Sequence, residues 1–240
     1  MKQDNEPMRK DFRPIVQAIG SDLMQTQVRI ASAANADMLF HYWKVGTYIL
    51  YLQEREGWGS KVIERLSQVI RSEYPDKKGY SARNLLYMCQ FAKAYSTAAF
   101  RALISVEKRL KQPSVELVRQ VTNELNEITQ EPLAQLQNID SKGNIIVQEP
   151  LAQIQSIAET LLNALQIDLI ETETVFKQSA VVRTNWASHV ILLNSRLPLG
   201  ERYWYITQAV TNGWSSNVLK TQLDSNLFAR QIAAKKVNNF

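Results

Sequence analysis

From Asp11 to about Glu56, apolar or small residues return mostly at three- and four-residue steps: Ile15, Ile19, Leu23, Val28, Ala31, Leu39, Trp43, Gly46, Ile49 and Leu50. A strand alternates every second residue, so a 3.6-residue period sustained this far predicts helix. Gly57-Trp58-Gly59 interrupts the pattern. The chain of 240 residues holds only 8 Gly and 7 Pro, which favours long helices over a turn-rich β protein.

A second helix is predicted over Ser60–Glu73. Val62, Ile63, Leu66, Val69 and Ile70 form its apolar stripe, and Lys61, Glu64, Arg65, Gln68 and Arg71 its wet side. "YPDKKGY" follows. Pro75 ends the helix and Gly79 permits a turn. Ser81 is a good N-cap for a third helix over about Ala82–Tyr95. Its stripe is Leu85, Met88, Cys89 and Ala92, and its other face carries Arg83, Asn84, Tyr87, Gln90 and Lys93.

The middle differs in composition. Residues 101–180 hold 7 Lys/Arg against 11 Asp/Glu and a single aromatic, Phe176. "QEPLAQLQ" at Gln130 recurs as "QEPLAQIQ" at Gln148, each with Pro suited to a helix start. "NIDSKGNIIV" between them reads as a short hairpin. The stretch is expected to be an inserted acidic helical arm. Aromatics return from Trp186, and "ERYWYITQAVTNG" reads as a helix closed at Asn212-Gly213.

"GWGSKVI" at Gly57 and "GWSSNVL" at Gly213 are two copies of one helix start. With N-caps at Gly59 and Ser215, Trp58 and Trp214 precede the cap, and Ile63 and Leu219 fall four residues after it. That is the spacing of a hydrophobic staple, which fixes the angle of entry into a helix. Packing alone accounts for the repeat. Trp43, Trp58, Trp186 and Trp214 are accordingly expected in the core.

Net charge is +5, unevenly spread: 14 Lys/Arg against 10 Asp/Glu in residues 1–100, and 7 against 2 in residues 181–240. Two basic ends flanking an acidic middle suit a polyanion, and equally a solvated surface. The lone Cys89 excludes a disulfide framework within the chain and fits a reducing compartment. The N-terminus is charged from Lys2 and is no signal peptide, and no apolar run reaches membrane-spanning length. A cytoplasmic protein without membrane contact is expected.

His41, His189 and Cys89 share no short motif, so no zinc site is expected, and no phosphate-cradling glycine loop is present. Pro75-Asp76 and Asp140–Lys142 imitate the carboxylates and lysine of metal-dependent nucleases. Their placement in a loop and a turn, not on adjacent core strands, argues against that chemistry. No cofactor, metal or catalytic residue is expected.

The second and third helices, with their basic connection, form a helix–turn–helix candidate. Arg83 and Asn84 are the residue types that read guanine and adenine in a major groove, and Lys77 and Lys78 would meet phosphates. An ordinary helical hairpin with a solvated face has the same pattern.

"YWKVGTYIL…EREGWGSKVIERLSQVIRSEYPDKKGYSARNLLYMCQFAKAY" and "NWASHVILLNSRLP…RYWYITQAVTNGWSSNVLKTQLDSNLFARQ" resemble the N-terminal domain of the YhcG family, also described as PDDEXK nuclease domain-containing proteins. The resemblance covers about residues 38–96 and 183–231. It implies a winged helix–turn–helix-like, DNA-binding domain of bacterial origin, normally followed by a C-terminal PD-(D/E)xK nuclease domain. This chain ends at Phe240, where that domain is expected to begin. The expectation is the recognition half without the cutting half, and no enzyme.

Together these readings predict a mainly α protein. Residues 1–100 and 181–240 jointly form the helix–turn–helix-like domain, and 101–180 the inserted arm. DNA is the expected partner. Arg83, Asn84, Tyr87 and Gln90 would face bases, and Lys77, Lys78, Lys93 and Lys220 phosphates. The alternative is a protein-interaction or oligomerisation module, with a homodimer or a partner nuclease or defence-system subunit as its partner.

Overall fold

The computed structural model describes residues 6–56, 60–109, 120–121, 123–125 and 170–231. Among them the chain is helical and has no strand. The expected first helix is one element, α1 (Glu6–Glu56), 51 residues long. At 1.5 Å per residue it spans about 76 Å. Then come α2 (Ser60–Glu73), α3 (Ala82–Ala94) and α4 (Thr97–Arg109). Residues 170–178 are helical, and a 3₁₀ turn follows at Ala180–Arg183. Last are α5 (Trp186–Asn194), α6 (Leu199–Thr211) and α7 (Ser216–Asp224).

The α3 helix is the element most enclosed by others. On one side Leu85, Met88 and Cys89 meet Ile49 of α1 and Ile63 of α2 in a small core. On the other, Phe91 and Ala92 enter the main core with Leu39, Phe40 and Trp43 of α1, Phe100 and Leu103 of α4, Phe176, and Leu192 of α5. Its expected stripe is therefore buried, with Phe91 added because α3 packs on two sides. Trp43 is buried and donates its indole N–H to the Tyr95 carbonyl (2.7 Å), while Trp186 and Trp214 pack half-buried against the main core. Trp58 and Gly59 lie outside the described residues, so only the second helix start can be followed. There Ser215 caps α7 through the Val218 N–H, Leu219 is fully buried, and Gly213 takes a left-handed φ of 62°.

The described ends of the acidic stretch pack against the rest of the chain. Phe100, Leu103 and Val106, then Val121, Leu125, Phe176 and Ala180, all lie in the main core. Thr97 and Thr172 share a hydrogen bond (2.7 Å), and Lys177 joins Asp37 and Glu173 (2.8 Å each). Low aromatic content suggested a separate arm. A few apolar residues at helical spacing are enough to bury both its ends. The two EPLAQ copies and the hairpin between them lie outside the described residues.

Candidate nucleic-acid interface

The turn between α2 and α3 is tied down from four sides. Ser67 of α2 donates its hydroxyl to the Tyr80 carbonyl (2.8 Å). Ser81 caps α3, accepting from the Asn84 N–H (3.2 Å), as expected of it. Tyr80 Oη meets His41 Nε2 of α1 at 2.7 Å. Gly79 has a φ of 99°, a conformation open to glycine, and its carbonyl accepts from the Asn84 side-chain amide. The Asn84 carbonyl oxygen in turn accepts from Trp186 Nε1 of α5 (2.8 Å).

Asn84, expected to face a base, thus has both ends of its amide in use within the protein. It joins turn, α3 and α5. Removing it leaves the half-buried Trp186 N–H without its acceptor, so Asn84→Ala is expected to cost about 1–3 kcal/mol in chemical unfolding. A variant as stable as the parent would return this side chain to the base-facing set.

The other predicted residues distribute as follows. Lys77 and Lys78 project from the turn, and Arg83, Gln90 and Lys93 from the outer face of α3, all exposed. Tyr87 is partly covered, and its hydroxyl accepts from Arg83 (3.3 Å) and from Asn194 of α5 (3.1 Å). These bonds, Arg83's first, hold the phenol below its ordinary pKa. Arg83 also lies over the Tyr87 ring, 5.8 Å from its centroid. The fork is pre-oriented, with guanidinium N–H groups to spare. Lys220 stands apart: it is exposed on α7, which packs on α5, and α5 in turn packs on α3.

Two residues of this surface escaped sequence reasoning. Leu86 is 44% exposed and lies on the face of Arg83, Gln90 and Lys93, at i+3 and i+4 spacings that could have revealed it. Asn194 comes from the distant second half, and no local signal pairs it with Tyr87.

The hairpin carries an excess of positive charge. Residues 60–95 carry seven Lys/Arg against Glu64, Glu73 and Asp76. The described acids of the middle stretch are engaged elsewhere: Glu171 with Arg101, Glu124 with Arg109 (3.0 Å), Glu173 with Lys177 and Glu107 with Arg183 (3.9 Å). Among the described residues, Lys77, Lys78, Arg83 and Lys93 have no carboxylate in ion-pair contact. Burial raises the Cys89 thiol to about 11, so it stays protonated and is no nucleophile at neutral pH. No helix among the described residues is long and apolar enough to cross a membrane.

What these elements define is a basic helical hairpin clamped to a larger helical core. Residues 18–128 match the family model of the DUF1016 N-terminal domain. That domain is the N-terminal domain of YhcG/PDDEXK-type proteins. The match runs from α1 through α4 and includes the whole hairpin; α5 to α7 lie beyond it. No curated protein and no solved structure matches the chain.

Proposed function

We propose that the chain is a DNA-recognition module, with the α2–α3 hairpin acting in the manner of a winged helix–turn–helix. The observation that supports this reading is the exposed set Lys77, Lys78, Arg83 and Lys93, which the described acids leave without a partner. Arg83, Leu86, Tyr87 and Gln90 form the surface that would enter a groove. Arg83 suits guanine, and Leu86 suits a thymine methyl. Lys77 and Lys78, at the turn, would grip the phosphate backbone and set the register. Lys220 would extend the same field from α7. In a YhcG/PDDEXK-type protein such a module would deliver a nuclease to its target, with no catalytic residue of its own.

Duplex binding should weaken steeply with salt, since each neutralised phosphate releases counterions. Replacing Lys77, Lys78 and Arg83 together by Ala is expected to weaken binding at least about tenfold and to flatten the salt slope by about 2–3. Fluorescence anisotropy across a salt series measures both. Unchanged affinity in a folded triple variant would remove the hairpin from the interface.

A further inference from the structure

Residues 12–34 of α1 have nothing packed on them among the described residues. Asn35 marks where the core begins: its amide donates to the carbonyls of Val182 (2.8 Å) and Thr184 (3.2 Å), and Ala36 is the first buried residue. Before it, residues 12–34 are exposed apart from partly covered Gly20 and Thr26. Along this projecting segment Phe12, Val16, Ile19, Leu23, Thr26, Ile30 and Ala33 follow at steps of four and three. That is a heptad seam. Phe12, Val16, Ile19, Leu23 and Ile30 are each 54–65% exposed, a cost no lone helix in water offsets.

We propose that this seam is the dimer interface of the protein, occupied by the same segment of a second copy running antiparallel. Three features select that occupant and direction. The large residues of the seam's first half meet the smaller ones of its second half when one copy is reversed: Leu23 faces Thr26 and Val16 faces Ala33, while Ile19 faces Ile30 in an apolar layer. Asp22 and Arg29 flank the seam on one side, and reversal sets Asp22 of each copy beside Arg29 of the other. A parallel pair would oppose Asp22 to Gln27 instead. The folded core also starts at Ala36 in both copies, so antiparallel arms hold the two cores at opposite ends, whereas parallel arms would force them side by side. The result is a closed twofold dimer. Met24 and Val28 remain on its outer surface.

Light scattering on the full chain should give about twice the 27.5 kDa chain mass. Ile19→Asp with Leu23→Asp buries four carboxylates in the seam and should raise the dissociation constant at least about a hundredfold. Helical content and melting of the core should change little, because both side chains are exposed within one chain. Orientation is read by oxidative cross-linking: Thr26→Cys lies near the twofold axis and should link two chains, whereas Ala33→Cys should not. Native Cys89 is buried and leaves this background low. A monomeric parent chain, including one whose arm is covered by its own residues 126–169, overturns the proposal. So does an assembly that survives the double Asp variant, or equal cross-linking at both positions. Because α3 takes no part, failure of DNA binding would leave this result untouched.

Discussion

Replacing Gly46 with alanine is expected to lower the melting temperature by roughly 5–15 °C. Gly46 lies where α1 crosses α3, and a Cβ there would overlap the carbonyl oxygen and carbon of Met88. Two effects compete. Alanine gains about 1 kcal/mol over glycine in a helix interior. Overpacking costs typically 1–3 kcal/mol where side chains can shift, and more where the obstacle is backbone. Met88 is fully buried in the middle of α3, so its carbonyl can move only if the two helices separate. The clash therefore outweighs the propensity gain, by about 2–4 kcal/mol, and a chain of this size loses about 2–4 °C per kcal/mol. The same substitution should weaken the DNA binding proposed above even though Gly46 is remote from the turn, because His41 on α1 holds Tyr80 and hence the start of α3. A Gly46→Ala chain as stable as the parent would show that the helices are not in backbone contact.

Acidification should destabilise the protein through His189, by about 3 kcal/mol between neutral pH and pH 4. The imidazole is fully buried, with the rings of Phe91 and Tyr95 against it at 4.9 and 5.9 Å between centroids. Its Nε2 meets the Val181 carbonyl at 2.9 Å. A carbonyl can only accept, so Nε2 carries the proton and Nδ1 the lone pair. Nδ1 has no hydrogen-bond partner among the described residues. Protonation would create a buried charge, facing the positive charge of Arg202, with a donor and no acceptor. Burial first, then Arg202, lowers the pKa from 6.5 to about 4, against the opposing pull of Val181. The folded state thus binds fewer protons than the unfolded one between these values. Stability is full above about pH 6.5 and declines as pH falls toward 4. Carboxylates contribute to acid unfolding as well, so the measurement is the difference between the parent and His189→Gln in denaturant titrations across pH. That difference should move by about 3 kcal/mol in favour of the variant as pH drops. Parallel profiles would mean that His189 protonates without penalty.

Much of the helical framework was legible without coordinates because its signals are local. The limits of α2 and the cap of α3 at Ser81 follow from periodicity, Pro75 and Gly79. The cap at Ser215 follows in the same way, from hydroxyl chemistry and Gly213. The buried face of α3 was legible too, apart from Phe91. Composition did not reveal how the described ends of the acidic stretch dock. It averages over many residues, whereas Phe176, Leu103 and Val106 are enough to dock their helices.

The candidate interface divides along the same line. Local order alone determined that Lys77, Lys78, Arg83, Gln90 and Lys93 are exposed, since each follows from its place in the turn or on the wet side of one amphipathic helix. Only the tertiary structure decided that Asn84 is taken up by Gly79 and Trp186, that Asn194 reaches Tyr87, and that residues 12–34 of α1 stand uncovered by the other described residues. Those outcomes depend on residues about a hundred positions apart meeting, or on nothing in the core reaching Ile19 and Leu23. Helical periodicity states which side of a helix is apolar; it carries no information about what, if anything, comes to cover it.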